Sequence, residues 1–112
     1  MPSTMTYKAG ELLLVAFPYA SGSQAKKRPA LVILDTGDAD VVIARVTTQT
    51  VSTPSDVVLK NWRQAGLRAP STVRLHKLAT LEKTLVTARL GSLSRADSQA
   101  ISTVMRQIYG VW

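Results

Sequence analysis

The chain has no cysteine. That excludes disulfide staples and thiolate metal sites, and it is compatible with a reducing compartment. One histidine and seven scattered acidic residues argue against a zinc site, and nothing in the sequence calls for a metal or another cofactor. No apolar run approaches the ~18–20 residues of a membrane span; the longest, residues 12–17, has the length of a buried strand. The N-terminus lacks the basic region and apolar stretch of a signal peptide, so a cytoplasmic location is expected. Also missing are a phosphate-cradling glycine loop, a Gly-x-Ser-x-Gly elbow and a His-Glu-x-x-His pair. There are no repeats, low-complexity tracts or linkers, and 112 residues fit one domain, 1–112.

What is present is apolar residues and positive charge. Hydrophobic residues make up 46% of the chain, too many for a disordered segment. The net charge is +7, and its distribution matters more than its size. Asp35, Asp38 and Asp40 gather around one turn, whereas Lys60, Arg63, Arg68, Arg74 and Lys77 fall in a stretch without acids. Together with Lys26, Lys27 and Arg28 they would form a footprint for nucleic acid or an acidic polypeptide if they converge in space. Charge alone does not choose between those partners.

The hydrophobic pattern is that of short strands. Residues 12–17 read as a first strand between Gly10 and Pro18. Residues 19–27 are small, polar and basic, and read as a mobile loop. A second strand is expected over 30–34, a turn at 35–38, and further strands over 41–46, 57–59 and 73–75. Trp62, Ala65, Gly66 and Leu67 suggest one helical turn capped by Gly66. The β-branched residues of 81–90 favour a strand from about Thr84. Ser94 is a good N-cap, Asp97 lies in the first turn, and Ile101, Val104, Met105 and Ile108 keep helical spacing up to Gly110. The class predicted is mainly β (α+β), a small antiparallel β-barrel with a C-terminal α-helix.

Three places could carry chemistry. Pro29 fixes its own φ and extends the residue before it, so Arg28 should stand on a stiff backbone at a strand mouth. Its planar fork suits two phosphate oxygens, although basic residues also simply solvate strand ends. Thr47, Thr48 and Gln49 end the third strand, where hydroxyls can donate to a phosphate; strand propensity and local turn bonding explain threonines there equally well. His76, between Arg74 and Lys77, is of the one side-chain type that ordinarily titrates near neutrality.

The order of these pieces resembles the MazF/PemK family of type II toxins. The likeness runs through residues 10–18, Lys27-Arg28-Pro29-Ala30-Leu31-Val32, Val46-Thr47-Thr48-Gln49, residues 62–67, residues 70–78 and residues 90–94. It implies an SH3-like barrel of the CcdB/PemK type that forms a homodimer. It also implies sequence-specific, metal-independent cleavage of single-stranded RNA to 2′,3′-cyclic phosphate and 5′-hydroxyl ends, and neutralisation by an acidic antitoxin with a disordered tail. The family's active arginine falls on Arg28, its active threonine on Thr47, and the second arginine of its PemK branch on Arg74. Where the family usually has an acid two residues later, this chain has His76, which would then serve as base or acid. RNA contacts are expected from Tyr19, Lys26, Lys27, Thr48, Gln49, Lys60, Arg63 and Lys77, with Tyr19 stacking on a base. The alternative is a catalytically silent SH3-like module that binds RNA or an acidic peptide in the same groove.

Overall fold

The computed structural model describes residues 5–17 and 26–110. Seven elements carry the fold: β1 (Glu11–Phe17), β2 (Lys26–Leu34), β3 (Asp40–Thr47), β4 (Asp56–Val58), β5 (Thr72–Glu82), β6 (Val86–Ser92) and α1 (Arg95–Tyr109). The strands form one antiparallel sheet in the order β4-β5-β3-β2-β1-β6. This is the mainly β chain with a C-terminal helix that the pattern predicts. No helix among the described residues is long and apolar enough to cross a membrane.

Period-two alternation feeds two cores from one sheet. In β1, Leu12 enters one core, while Leu13, Val15 and Phe17 enter the other. The first core continues through Leu31, Val46, Val73 and Leu75 to Ile101 of α1. The second gathers Tyr7, Val32, Val41 and Ile43. Beside it lies a buried ion pair, Lys83 Nζ to Asp35 Oδ1 at 2.9 Å. Asp35 also accepts the Tyr7 and Gly37 backbone N–H groups.

The ladder is open between β4 and β6, and packing closes the seam. After β4 the chain makes one helical turn that ends with Gly66 N–H donating to the Arg63 carbonyl and Leu67 N–H to the Trp62 carbonyl, both at 3.0 Å. That bond pair needs a left-handed residue at its fifth position, and Gly66 supplies it with φ +85°. A Cβ there would stand 2.0 Å from the Leu90 carbonyl oxygen of β6. The N-terminus of α1 fixes the other side of this turn. Ser94 Oγ accepts the Asp97 N–H and donates to Asn61 Oδ1, and the buried Asp97 carboxylate accepts the Lys60 and Asn61 N–H groups at 2.9 Å each.

Two strands run longer than the sequence pattern predicts. Lys26 and Lys27 belong to β2, not to a loop, because they pair with Phe17 and Ala16 of β1. Strand β5 runs on to Glu82 because it bulges: Arg74 faces Arg45, but the next rung joins Leu78 to Ala44. Residues 75–77 stand between those rungs and interrupt the alternation. Strand β6 starts at Val86 rather than Thr84, since Lys83–Leu85 forms a 3-10 turn.

Candidate active site

Pro29 marks the place where two paired strands separate. The β2–β3 ladder begins at the Ala30–Arg45 rung, one residue after a proline that has no N–H to give. Beyond that rung β2 continues to Lys26 on β1 alone, with Arg28 opposite Val15. Strand β3 continues to Thr47 on β5 alone, with Thr47 opposite Thr72. The two strands diverge, and between them lies a cleft of about 370 Å³ lined by Arg28, Pro29, Arg45, Val46, Thr47, Thr48, Gln49, Arg74 and Lys77.

Among the described residues, four cations and no carboxylate line it. A multiply charged anion entering such a site finds preorganised donors and no like charge. Thr47 Oγ1 accepts the Gln49 backbone N–H at 3.1 Å, which leaves its hydroxyl proton to be donated into the cleft. Arg45 and Arg74 face one another across β3 and β5, an unfavourable pairing of like charges. Asp56 relieves it from the next strand, where it is the rung partner of Arg74. Its Oδ1 accepts Arg74 Nε at 2.9 Å, and the carboxylate side chain is only 2% exposed. Oδ2 accepts the backbone N–H and the hydroxyl of Thr53 at 2.9 and 2.8 Å. Burial, the largest single influence, pushes the Asp56 carboxyl up. The Arg74 and Thr53 hydrogen bonds and the Arg74 charge together outweigh it and hold the group below the ordinary carboxylate range.

The structure brings Arg28, Thr47, Thr48, Gln49, Arg74 and Lys77 to one cleft. It does not bring His76 there: that side chain is exposed on the β5 bulge, beside Lys77 but outside the lining. Lys26 and Lys27 are exposed on the stretch of β2 that leads to Arg28. Lys60 and Arg63 lie exposed on the segment after β4, away from the cleft lining, and the Arg63 guanidinium covers the Trp62 ring at 4.7 Å. Trp62 itself packs against the first core. Tyr19 lies outside the described residues. Sequence reasoning missed Arg45, which also lies 5.7 Å over the Phe17 ring. The signal was its place two residues before Thr47, and so on the same face of β3.

Residues 8–109 match the family of PemK-like, MazF-like toxins of type II toxin-antitoxin systems. A search of curated protein sequences finds no significant match. Among solved structures, an endoribonuclease from a mycobacterial species in complex with its cognate antitoxin superposes with a TM-score of 0.78 at 22% identity, over 96% of this chain and 98% of that one. The Mycobacterium tuberculosis toxin MazF-mt6 gives 0.74 at 17% identity, over 91% and 98%. A MazE-MazF structure from Deinococcus radiodurans gives 0.74 at 17% identity, over 95% and 98%.

Proposed function

The chain belongs to the PemK-like, MazF-like family of toxins of type II toxin-antitoxin systems, and we propose that it is a sequence-specific endoribonuclease of single-stranded RNA. The observation that carries this reading is the cleft: Arg28, Arg45, Arg74 and Lys77 line it together with Thr47 where β2 and β3 part. Cleavage by the neighbouring 2′-OH passes through a phosphorane with added negative charge, and fixed cationic donors stabilise it more than the ground state. Arg28 grips the scissile phosphate, Thr47 donates to a non-bridging oxygen, and Arg74 offsets the developing charge. The 2′-hydroxyl gives its proton to water and its oxygen bonds to phosphorus as the bond from phosphorus to the 5′-oxygen breaks and that oxygen takes a proton from water, giving a 2′,3′-cyclic phosphate and a 5′-hydroxyl. This chemistry needs no metal ion. Thr48, Gln49, Lys26, Lys27 and Lys77 hold flanking nucleotides, and Lys60 and Arg63 extend the basic surface beyond the cleft.

Two solved relatives are complexes with an antitoxin, which supports an acidic antitoxin as the partner of this cationic cleft. A homodimer, in which a second copy would extend the RNA groove, completes the reading. The second reading is a silent module that holds RNA or an acidic peptide. One observation favours it: among the described residues neither histidine nor carboxylate lines the cleft, the side chains that most often carry proton transfer near neutrality.

Incubation of the protein with a long single-stranded RNA in EDTA, followed by primer extension and end-group analysis, tests both. Reproducible cuts with cyclic phosphate ends, lost by at least about a hundredfold in Arg28→Ala, are expected. Intact RNA that the protein retains would establish the silent module instead. The same assay on His76→Ala across pH is expected to leave the profile near neutrality unchanged, because that side chain lies outside the cleft lining. Loss of one limb of the profile would assign His76 the proton transfer.

A further inference from the structure

Asp56 stands behind the cleft rather than in it. It does not line the cavity, yet its buried Oδ1 holds the Nε of an arginine that does. The ion pair is more than a link between two strands, for three reasons. First, Nε is the one guanidinium nitrogen within the side-chain stem, so binding there orients the plane while leaving the two terminal nitrogens as a fork. Among the described residues those terminal nitrogens have no protein partner. Second, Asp56 is itself held, through Oδ2, by the Thr53 N–H and hydroxyl. The turn is braced in its own right: Asp56 N–H donates to the Thr53 carbonyl and Leu75 N–H to the Ser55 carbonyl. Third, the rung runs Asp56–Arg74–Arg45 across β4, β5 and β3, so the anion sits where it keeps Arg74 beside another arginine.

We propose that Asp56 is a positioning residue for the RNA-cleaving site, one that locks Arg74 by Nε so that its terminal nitrogens form a fixed clamp on phosphate. This rests on the reading of the cleft as a nuclease site. Both carboxylate oxygens are engaged, so Asp56 acts through Arg74 and not as a base. The preorganised fork matters most when charge builds on phosphorus, so its loss falls on kcat and spares KM. Asparagine keeps one acceptor oxygen, but its amide NH₂ cannot accept from a second N–H. It therefore preserves part of the arrangement that alanine abolishes.

A double-mutant cycle on a short single-stranded RNA tests this, with melting temperatures confirming that each variant is folded. Asp56→Asn is expected to lower kcat several-fold and Asp56→Ala by about a hundredfold, the scale of a misplaced catalytic group, with KM within about twofold of the unmutated protein. In an Arg74→Ala background both changes should have no further effect on kcat. Equal losses with and without Arg74, or a loss in KM alone, would overturn the proposal. The same cycle is run on binding of the 2′-deoxy version of that oligonucleotide, which no 2′-OH attack can cleave. Both Asp56 variants should bind it within about twofold of the unmutated protein. If the unmutated protein binds but leaves RNA intact, the nuclease reading fails and the role of Asp56 in cleavage falls with it, whereas cleavage with uncoupled losses overturns the Asp56 proposal alone. No binding at all would overturn both.

Discussion

At the scale of single residues, the buried carboxylates are each held by named donors: Asp35 by Lys83, Asp56 by Arg74 and Asp97 by two backbone N–H groups. Tyr7 and Lys83 dominate the environment of Asp35: the Tyr7 N–H and the Lys83 ammonium hold its carboxyl down to about 2, against an ordinary 3.8. A folded-state value below the unfolded one means the carboxylate adds stability above the ordinary value, and that this is lost as pH falls through the depressed one. Acid titration of folding should therefore show a loss of stability between about pH 4 and pH 2. In Lys83→Met that step should shrink, and stability at neutral pH should fall by about 3 kcal/mol, the low end for breaking a buried pair. Denaturant melts at several pH values measure both. The same residue scale shows what a sequence can reveal about a site. Arg28, Thr47 and Arg74 were legible through their order, because each sits beside a marker: a proline, a strand end, a strand before a bulge. Arg45 was not, since a cation inside a β-strand reads as an exposed face until the neighbouring strands are placed. Asp56 was invisible for the same reason, its partner lying 18 positions away.

At the scale of elements, strand ends and the C-terminal helix were legible where local chemistry writes them. Ser94 and Gly110 bound α1 as capping predicts, and Gly66 closes a helical turn. The start of β2 and the length of β5 were not, because long-range pairing sets both. Lys26 and Lys27 are exposed and carry no alternation; only the ladder to β1 makes them strand. The β5 bulge hides a strand whose two halves obey different phases. The seam supplies an element-level prediction. Gly66 and Gly37 have similar φ, +85° and +93°, but a Cβ on Gly37 would meet nothing within 4 Å. Gly37→Ala should cost only backbone strain, about 1–2 kcal/mol. Gly66→Ala adds a collision with the Leu90 carbonyl, and should cost at least about 3 kcal/mol or prevent folding. Urea melts of the two variants side by side separate the contributions.

At the scale of the whole molecule, an excess of positive charge, +7 over 112 residues, meets a sheet whose inner strands β2 and β3 part at one end. If the four cleft cations each neutralise one phosphate of a single strand, log K for RNA should fall with log salt at a slope of about −3. Fluorescence anisotropy between 50 and 300 mM salt, or about that range, measures it. A slope near zero would mean that the cleft is not the binding surface. The geometry of the opening has a mechanical consequence. One wall, carrying Arg28, hangs on β1; the other, carrying Arg45, Thr47 and Arg74, hangs on β3 and β5. The two walls are joined first at the Ala30–Arg45 rung, so the packing beneath that rung, and not the cations themselves, sets how far apart Arg28 and Arg74 are held.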